Sequence, residues 1–297
     1  MKKELNFWNL VRTLPNGVQC FNIKKENAPK VYEEIIHISE KAFNIGNARD
    51  EYDDFYSYLV VYDSLNNEII SYYRYILITN DNIEKLSTAQ YYNYHPQFVE
   101  EVLVNAIELG RSVINKDSKM ERENPGVGLL SIWRGGLGPL VYRYNGLTNE
   151  KKYLFGQVSL QAKDYSLNME SMNKIFALFL KNFGLSLNMI YPKETLNVFC
   201  NSFYPYLEEF EGNYKNDAKK LKTFLKENGI HVPSLFFHYG NLDSCNSGSL
   251  KMFLPVYNSL LDCYEMALCY DLNSLSDAHK KMFIGDTNDI NLSAFDE

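Results

Sequence analysis

Three short segments of the chain bring together residue types that do acid–base and anion chemistry. The first is Arg49-Asp50-Glu51-Tyr52-Asp53-Asp54, four carboxylates within five residues. Such a run binds an amine or another cation, or it is an ordinary solvated loop. The second is Arg74, inside Tyr72-Tyr73-Arg74-Tyr75-Ile76. A guanidinium among apolar neighbours needs a partner if it is buried, and the acidic run lies one hairpin away; on a half-exposed sheet it would face outward. The third is Glu108-Leu109-Gly110-Arg111-Ser112. In a regular strand residues three apart point to opposite faces. Glu108 and Arg111 share a face only if the strand carries a bulge, and Gly110 is the residue to permit one. A bulge also leaves a backbone N–H out of the ladder, where it can serve as an oxyanion donor to a carbonyl under attack.

Downstream stands Arg122-Glu123-Asn124-Pro125-Gly126-Val127-Gly128, ahead of a helical pattern. Glycines at a strand–loop–helix junction let backbone N–H groups approach a phosphate, so Arg122, Gly126 and Gly128 are candidates for a phosphate-bearing donor. The charge balance agrees. The 297 residues carry a net charge of -7, yet Arg111 to Lys152 holds eight basic and four acidic residues and is +4, leaving the remainder at -11. A basic island on an acidic protein fits an acidic or phosphorylated ligand. The acidic whole argues against nucleic acid, whose phosphates call for clustered Lys and Arg. The five cysteines form no C-x-x-C pair and the five histidines no H-x-x-x-H pair, so neither a disulfide framework nor a metal site is expected. No stretch approaches the ~20 apolar residues needed to cross a bilayer, and Met1–Leu10 lacks the apolar core of a signal peptide. A reducing cytoplasm is the expected location.

These groups need elements to hold them. Val18–Ile23, Tyr58–Tyr62, Ile69–Ile78, Ala106–Ile114, Tyr153–Leu160 and Tyr264–Leu272 read as strands, rich in Tyr, Val and Ile. Asp63 to Glu68 between the second and third is a hairpin turn. Val31, Ile35, Ile38 and Ala42 form one apolar stripe of a helix that starts near Pro29. Met172, Ile175, Phe176, Phe179 and Phe183 form another, and Ala218, Leu221 and Leu225 a third that Asn228-Gly229 stops. Leu129 to Tyr144 has helical spacing, but Gly135, Gly136, Gly138 and Pro139 predict a break or kink near Pro139. Lys116 to Pro125 reads as a charged loop. The fold class is α/β with a mixed, mostly antiparallel sheet flanked by helices. No repeat or composition break divides the chain, so one domain over 1–297 is expected, with a helical elaboration at about 190–230.

Taken together, the Tyr73-Arg74 strand, the Glu108-Leu109-Gly110-Arg111-Ser112 strand, Ile132-Trp133-Arg134-Gly135-Gly136-Leu137 and Tyr153-Leu154-Phe155-Gly156-Gln157-Val158-Ser159-Leu160 resemble the amino-acid N-acyltransferases of ornithine-lipid and glycine-lipid synthesis. These are often labelled hemolysin-like; they have the GNAT fold and are cousins of the acyl-homoserine-lactone synthases. The resemblance runs from about Arg49 to Ser159. It implies a GNAT-like domain and an enzyme that moves a long acyl chain, often 3-hydroxylated, from a thioester on acyl carrier protein to the α-amine of an amino acid, with no further cofactor. The roles it carries over fall on Glu51, Asp53 or Asp54, Arg74, Glu108 and Arg111. The resulting assignment makes Glu108, Arg111 and Arg74 catalytic, Glu108 as the base. Glu51, Asp53, Asp54, Gly110, Ser112 and Trp133 are substrate-binding. Lys116, Lys119 and Arg122 meet the carrier protein, and the lipid product brings a weak membrane association. This chain departs from the family's usual pattern at Ser71, where a Gly is usual, at Val113-Ile114-Asn115-Lys116 after the Arg-Ser, and in the extra glycine after Trp133-Arg134. Two other classes compete: a GNAT-shaped protein that binds acyl chains without catalysis, and an acetyltransferase that uses acetyl-CoA. A covalent cysteine enzyme has only His238 and Cys245 to offer, close in sequence but in no suggestive arrangement.

Overall fold

The computed structural model describes residues 3–161, 168–184, 189–193, 202–230, 237, 240, 241, 249–258 and 262–296. Along the chain run β1 (Leu10–Thr13), β2 (Gln19–Ile23), helix α1 (Pro29–Phe43), β3 (Ser57–Asp63), β4 (Glu68–Leu77), β5 (Tyr92–Tyr94), α2 (Pro96–Glu101), β6 (Ala106–Ile114), α3 (Lys119–Glu123), α4 (Val127–Ile132), β7 (Tyr153–Gln161), β8 (Ile190–Pro192), β9 (Leu250–Met252), β10 (Val256–Asn258) and β11 (Cys263–Asp271). Further helices cover Met169–Phe183, Tyr214–Glu227 and Asp277–Phe283. His238 and Cys245 lie outside the described residues. The fold is α/β, a mostly antiparallel sheet flanked by helices, as expected. It divides into two compact units, one of Met1–Ile78, Ile107–Lys152 and Ser276–Glu297, the other of Thr79–Ala106 and Tyr153–Leu275.

In the first unit β1, β2, β3, β4 and β6 pair antiparallel in that order. The β3–β4 hairpin closes through Asn67 at φ 57°, a left-handed position that Asn tolerates. Helix α1 covers one face of this sheet. Pro29 sits in its first turn, and Glu4 Oε2 accepts from the N–H groups of Lys30 and Val31 at 2.9 and 3.0 Å, satisfying two donors of the helix start. Its buried stripe is Val31, Tyr32, Ile35, Ile36, Ile38 and Ser39, packed on Phe21, Tyr58, Val60, Tyr62, Tyr72 and Val113. Ala42, expected in the stripe, is exposed; in that last turn Phe43 is the residue packed against the same cluster.

The opposite face carries α4. Of the break or kink expected near Pro139, a break does not occur: the helix runs on over 127–147 through two wide π turns, Trp133–Leu137 and Tyr142–Leu147, around a regular turn at Gly138–Val141. A π turn shifts the hydrogen-bond register by one residue, which lets a helix accommodate a proline that has no N–H to donate. The glycines are there for close approach. A Cβ on Gly135 would stand 2.9 Å from Cys20 Cβ, and one on Gly138 2.1 Å from the Phe283 carbonyl oxygen. Trp133 packs on Phe283 with ring centroids 4.7 Å apart. At the N-terminus an Asn-anchored turn leaves Phe7 and Trp8 each 71% exposed.

Within the second unit β7, β11 and β10 pair antiparallel in that order, β9 also pairs with β11, and β5 pairs with β8. All five residues of the predicted 172–183 stripe are buried. Helix Tyr214–Glu227 ends, as expected, at Asn228 and Gly229. Among the described residues no helix is long and apolar enough to cross a membrane, and no three His, Cys, Asp or Glu side chains are placed to hold a metal ion.

Candidate active site

Strand β6 is bulged at Gly110. Tyr73 pairs with Ser112 and Tyr75 with Leu109, so Gly110 and Arg111 together oppose Arg74 alone. The register fixes the faces. Tyr72 opposes Val113 and Ile76 opposes Glu108. Tyr72, Arg74 and Ile76 alternate to one side of β4, so Glu108, Arg111 and Val113 all point to that same side, where α1 packs. Without the extra residue Glu108 and Arg111 would be on opposite faces. Gly110 is required by its neighbour as much as by its backbone: a Cβ there would meet Arg74 Nε at 3.0 Å and the Tyr56 ring at 3.3 Å.

The acidic run is a 3-10 turn, Glu51–Asp54, laid over this face. Asp50 caps it: its carboxylate accepts from Tyr52 N–H at 3.0 Å, and Asp53 Oδ2 accepts from Asp50 N–H at 3.0 Å. Both carboxylates also reach the arginines. Arg74 Nη1 donates to Asp50 at 2.7 and 2.9 Å and to Asp53 Oδ1 at 2.9 Å. Arg111 Nη2 donates to Asp50 Oδ2 at 3.0 Å, and Arg111 Nη1 donates to the Ala48 carbonyl at 2.5 Å. Asp53 takes two more bonds, from Tyr32 Oη of α1 at 2.7 Å and Tyr58 Oη of β3 at 2.6 Å. Arg74 is 4% exposed, Asp53 2% and Glu108 0%.

Charges this deep hold only because they are paired. Burial by itself would raise the Asp53 carboxyl, but the Tyr58 hydroxyl, the Asp50 N–H, the Tyr32 hydroxyl and the Arg74 charge outweigh it and hold it below the usual carboxylate range. Burial would likewise weaken the Arg74 cation; Asp50, first among its neighbours, reverses the sign and fixes the guanidinium as charged. Burial and the adjoining Asp53 raise the Tyr58 phenol, so it remains a donor. Arg74 Cζ also lies 4.7 Å from the Tyr56 ring centroid and 6.0 Å from that of Tyr52. One guanidinium atom stays uncommitted: Arg74 Nε makes no hydrogen bond among the described residues, and it faces the bulge.

The structure therefore brings together Asp53, Arg74, Glu108, Gly110 and Arg111 of the expected set. Others are elsewhere. Glu51 is exposed, and Asp54 is exposed in an ion pair with Lys25 at 2.5 Å. Ser112 opposes Tyr73 and faces away from the cluster. Trp133 sits with α4 on the other face, against Phe283. The Gly126 and Gly128 amides are already engaged: Glu121, on the short helix α3 that occupies the expected loop, accepts from them at 2.6 and 2.8 Å, and Arg122 is exposed. Asp50 was missed as a site residue, although its D-x-x-D spacing with Asp53 is a capping signature. Tyr32 and Tyr58 were missed because tyrosine is too abundant in this chain to stand out.

A family model described as an acetyltransferase (GNAT) domain matches residues 30–124, a span that contains every member of the cluster. The matched span is a GNAT domain, and the enzyme is an acyltransferase. It is similar to a protein named glycine N(alpha)-acyltransferase from Bacteroides thetaiotaomicron, 27% identical over 256 residues, covering 81% of this chain and 73% of the relative. A protein of the same name from Phocaeicola vulgatus is 27% identical over 266 residues, covering 81% and 75%. No solved structure matches. In this acyltransferase the matched domain thus supplies the buried acid, the two arginines and the strand irregularity that aligns them.

Proposed function

We propose that the protein is an N-acyltransferase that moves a long-chain, 3-hydroxylated or plain, acyl group from an acyl carrier protein thioester to the α-amine of an amino acid, as in ornithine-lipid and glycine-lipid synthesis. Glycine is the first acceptor to test, given the names of the two relatives. The observation that carries the reading is the Gly110 bulge, which turns Glu108 to the same face as Arg111, Arg74 and Asp50. Three acidic side chains, Asp50, Asp53 and Glu108, meet two guanidiniums here, an excess of acid that favours an ammonium.

The ammonium must first give up a proton to solvent, because only the neutral amine attacks. As its nitrogen bonds to the thioester carbon, a base must take the next proton, and Glu108 fills that role. The carbonyl oxygen becomes an oxyanion. The backbone amide left out of the ladder by the bulge and Arg74 Nε–H are the donors for it. Both arginines are tied to aspartates, so they position the acidic turn over the sheet rather than clamp the acceptor's carboxylate.

The donor reading rests on two features. Glu121 already fills the glycine amides that a coenzyme A diphosphate would use, which favours a carrier-bound arm with its single phosphodiester. Lys116, Lys119 and Arg122 are exposed and suit an acidic carrier protein. The test is a purified assay with long-chain acyl carrier protein and glycine, followed by mass spectrometry. Glu108→Gln loses acyl transfer by 100-fold or more, the scale of general-base catalysis, with the melting midpoint retained. Full turnover by the variant removes Glu108 as base, and no N-acyl product from the wild type with any amino acid removes the proposal.

A further inference from the structure

We infer that the exposed lysine face of helix Tyr214–Glu227 docks the protein on an anionic lipid surface, an interaction separate from the reaction proposed above. The face follows from spacing. Lys215, Lys219, Lys222 and Lys226 recur at steps of four, three and four. Those steps put all four on one side of a helix, in a row about 16 Å long. All four are exposed, and among the described residues none of them makes an ion pair. Lys222 Nζ stands 4.5 Å from the Phe237 ring centroid, a contact that holds the stem without neutralising its charge.

The other side of the helix is packed. Tyr214, Asp217, Ala218, Leu221 and Leu225 are buried, and the Tyr214 ring lies 5.1 Å from that of Phe183 and 6.1 Å from that of Phe179 on helix Met169–Phe183. Asp217 is engaged there too, accepting from Asn182 Nδ2 at 3.0 Å and from the N–H groups of Glu211 and Gly212 at 3.0 and 2.9 Å. Glu227 is the one exposed acid on the helix. The helix is therefore +3 in a chain of -7, and the excess faces outward. With a Debye length of about 8 Å at physiological salt, a surface in contact with this face feels the lysines and not the net charge of the chain.

Two features select a lipid surface among anionic partners. The flank next to the row, Asn216, Lys220 and Thr223, opens into a cleft of about 640 Å³ that Phe210, Leu221 and Phe224 also line. Cations beside an apolar recess suit an amphiphile, with its headgroup on the lysines and the start of its chains against the rings; a nucleic-acid backbone has nothing to put there. The second feature is the kind of cation. All seven arginines of the chain fall in the first unit, so the second is basic through lysine alone. Lysine is a point charge on a flexible stem, not a planar fork for bidentate recognition of one fixed phosphate. That suits a fluid layer of headgroups. A carrier protein has a different requirement: it must present its acyl arm to Glu108, in the first unit, which holds Lys116, Lys119 and Arg122.

The test is flotation of the full chain with lipid vesicles. Wild type floats with vesicles of about 30% phosphatidylglycerol in phosphatidylcholine and not with phosphatidylcholine alone, and raising salt from about 0.1 M to about 1 M releases it. Each lysine close to an anionic leaflet is worth about 5-fold in partitioning. Lys219→Gln with Lys222→Gln therefore lowers partitioning about 25-fold, and Lys219→Glu with Lys222→Glu lowers it further, both with the melting midpoint retained. Lys280→Gln with Lys281→Gln, exposed on a helix of the first unit, removes the same charge and leaves partitioning within about 2-fold. Wild type that ignores anionic vesicles, binding that survives the changes at Lys219 and Lys222, or an equal loss in the two Gln pairs overturns the proposal. So does a lysine face that holds acyl carrier protein or duplex DNA, lost in the Glu pair, while vesicles go unbound. Wild type that floats but acylates no amine removes the reaction and leaves this surface standing.

Discussion

Asp53→Asn removes a single negative charge at the centre of the cluster. Four donors converge on the native carboxylate: Tyr58 Oη and Arg74 Nη1 on Oδ1, Tyr32 Oη and the Asp50 N–H on Oδ2. An asparagine accepts at one atom only. Whichever way the amide is turned, its NH2 faces two groups that donated to the carboxylate, and Arg74 is left with Asp50 as its one charged partner. Breaking a buried pair by removing one partner costs about 3–5 kcal/mol. At roughly 2–4 °C per kcal/mol for chains of this general size, the melting midpoint falls by something like 10 °C at neutral pH. The sign of the pH dependence follows from the lowered carboxyl of Asp53. Its stabilisation is complete above the ordinary carboxylate value and is lost as pH falls through the lowered folded value, so wild type and variant converge in acid. Thermal melts by circular dichroism between pH 3 and pH 7 read this directly, with Asp54→Asn, exposed on the same turn, as a control that leaves the midpoint unchanged. A gap under about 1 kcal/mol at neutral pH, or one that persists unchanged in acid, refutes the account of the cluster as charge-assembled.

Gly138→Ala puts a methyl 2.1 Å from the Phe283 carbonyl oxygen and 3.1 Å from that of Trp133; backbone cannot yield as a side chain can, and denaturant titration shows a loss at or above the ~1–3 kcal/mol usual for overpacking. In the second unit, Glu265 is 1% exposed and accepts from Ser159 Oγ at 2.5 Å and Cys263 Sγ at 3.2 Å. Burial raises its carboxyl against the effect of those donors. A raised acid stabilises below its ordinary value and loses that contribution as pH climbs through the folded value. Glu265→Gln therefore flattens the wild type's decline in stability as pH rises above the ordinary carboxylate value, measured by the melting midpoint, and a parallel decline in both proteins contradicts it.

What the amino-acid sequence reveals about this site is uneven for physical reasons. Strand β6 and its bulge were legible because alternation is strict: an acid and a guanidinium three apart with a glycine between them conflict with a flat strand. Hairpin β3–β4 was legible from its turn residues. Helix 127–147 was not, because glycine and proline lower local helix propensity, whereas here close packing against Cys20, Leu59 and Phe283 decides the outcome. Within the acidic run composition shows that carboxylates are present, not which of them turn inward. Asp50 and Asp53 do so because the 3-10 turn puts them one turn apart, while Glu51 and Asp54 point to water. The glycine pair before α4 advertises free amides, but spacing alone does not reveal that Glu121, five residues earlier, bonds them first.

The stacking of Trp133 on Phe283 has a practical corollary. The chain has two tryptophans: Trp133, packed against a neighbouring ring on the α4 face, and Trp8, largely exposed to water. Neither belongs to the charged cluster. Intrinsic fluorescence is thus a built-in gauge of whether α4 stays seated, blind to chemistry at Glu108, and an emission spectrum that stays put while turnover collapses separates a lost reaction from a lost structure in one cuvette.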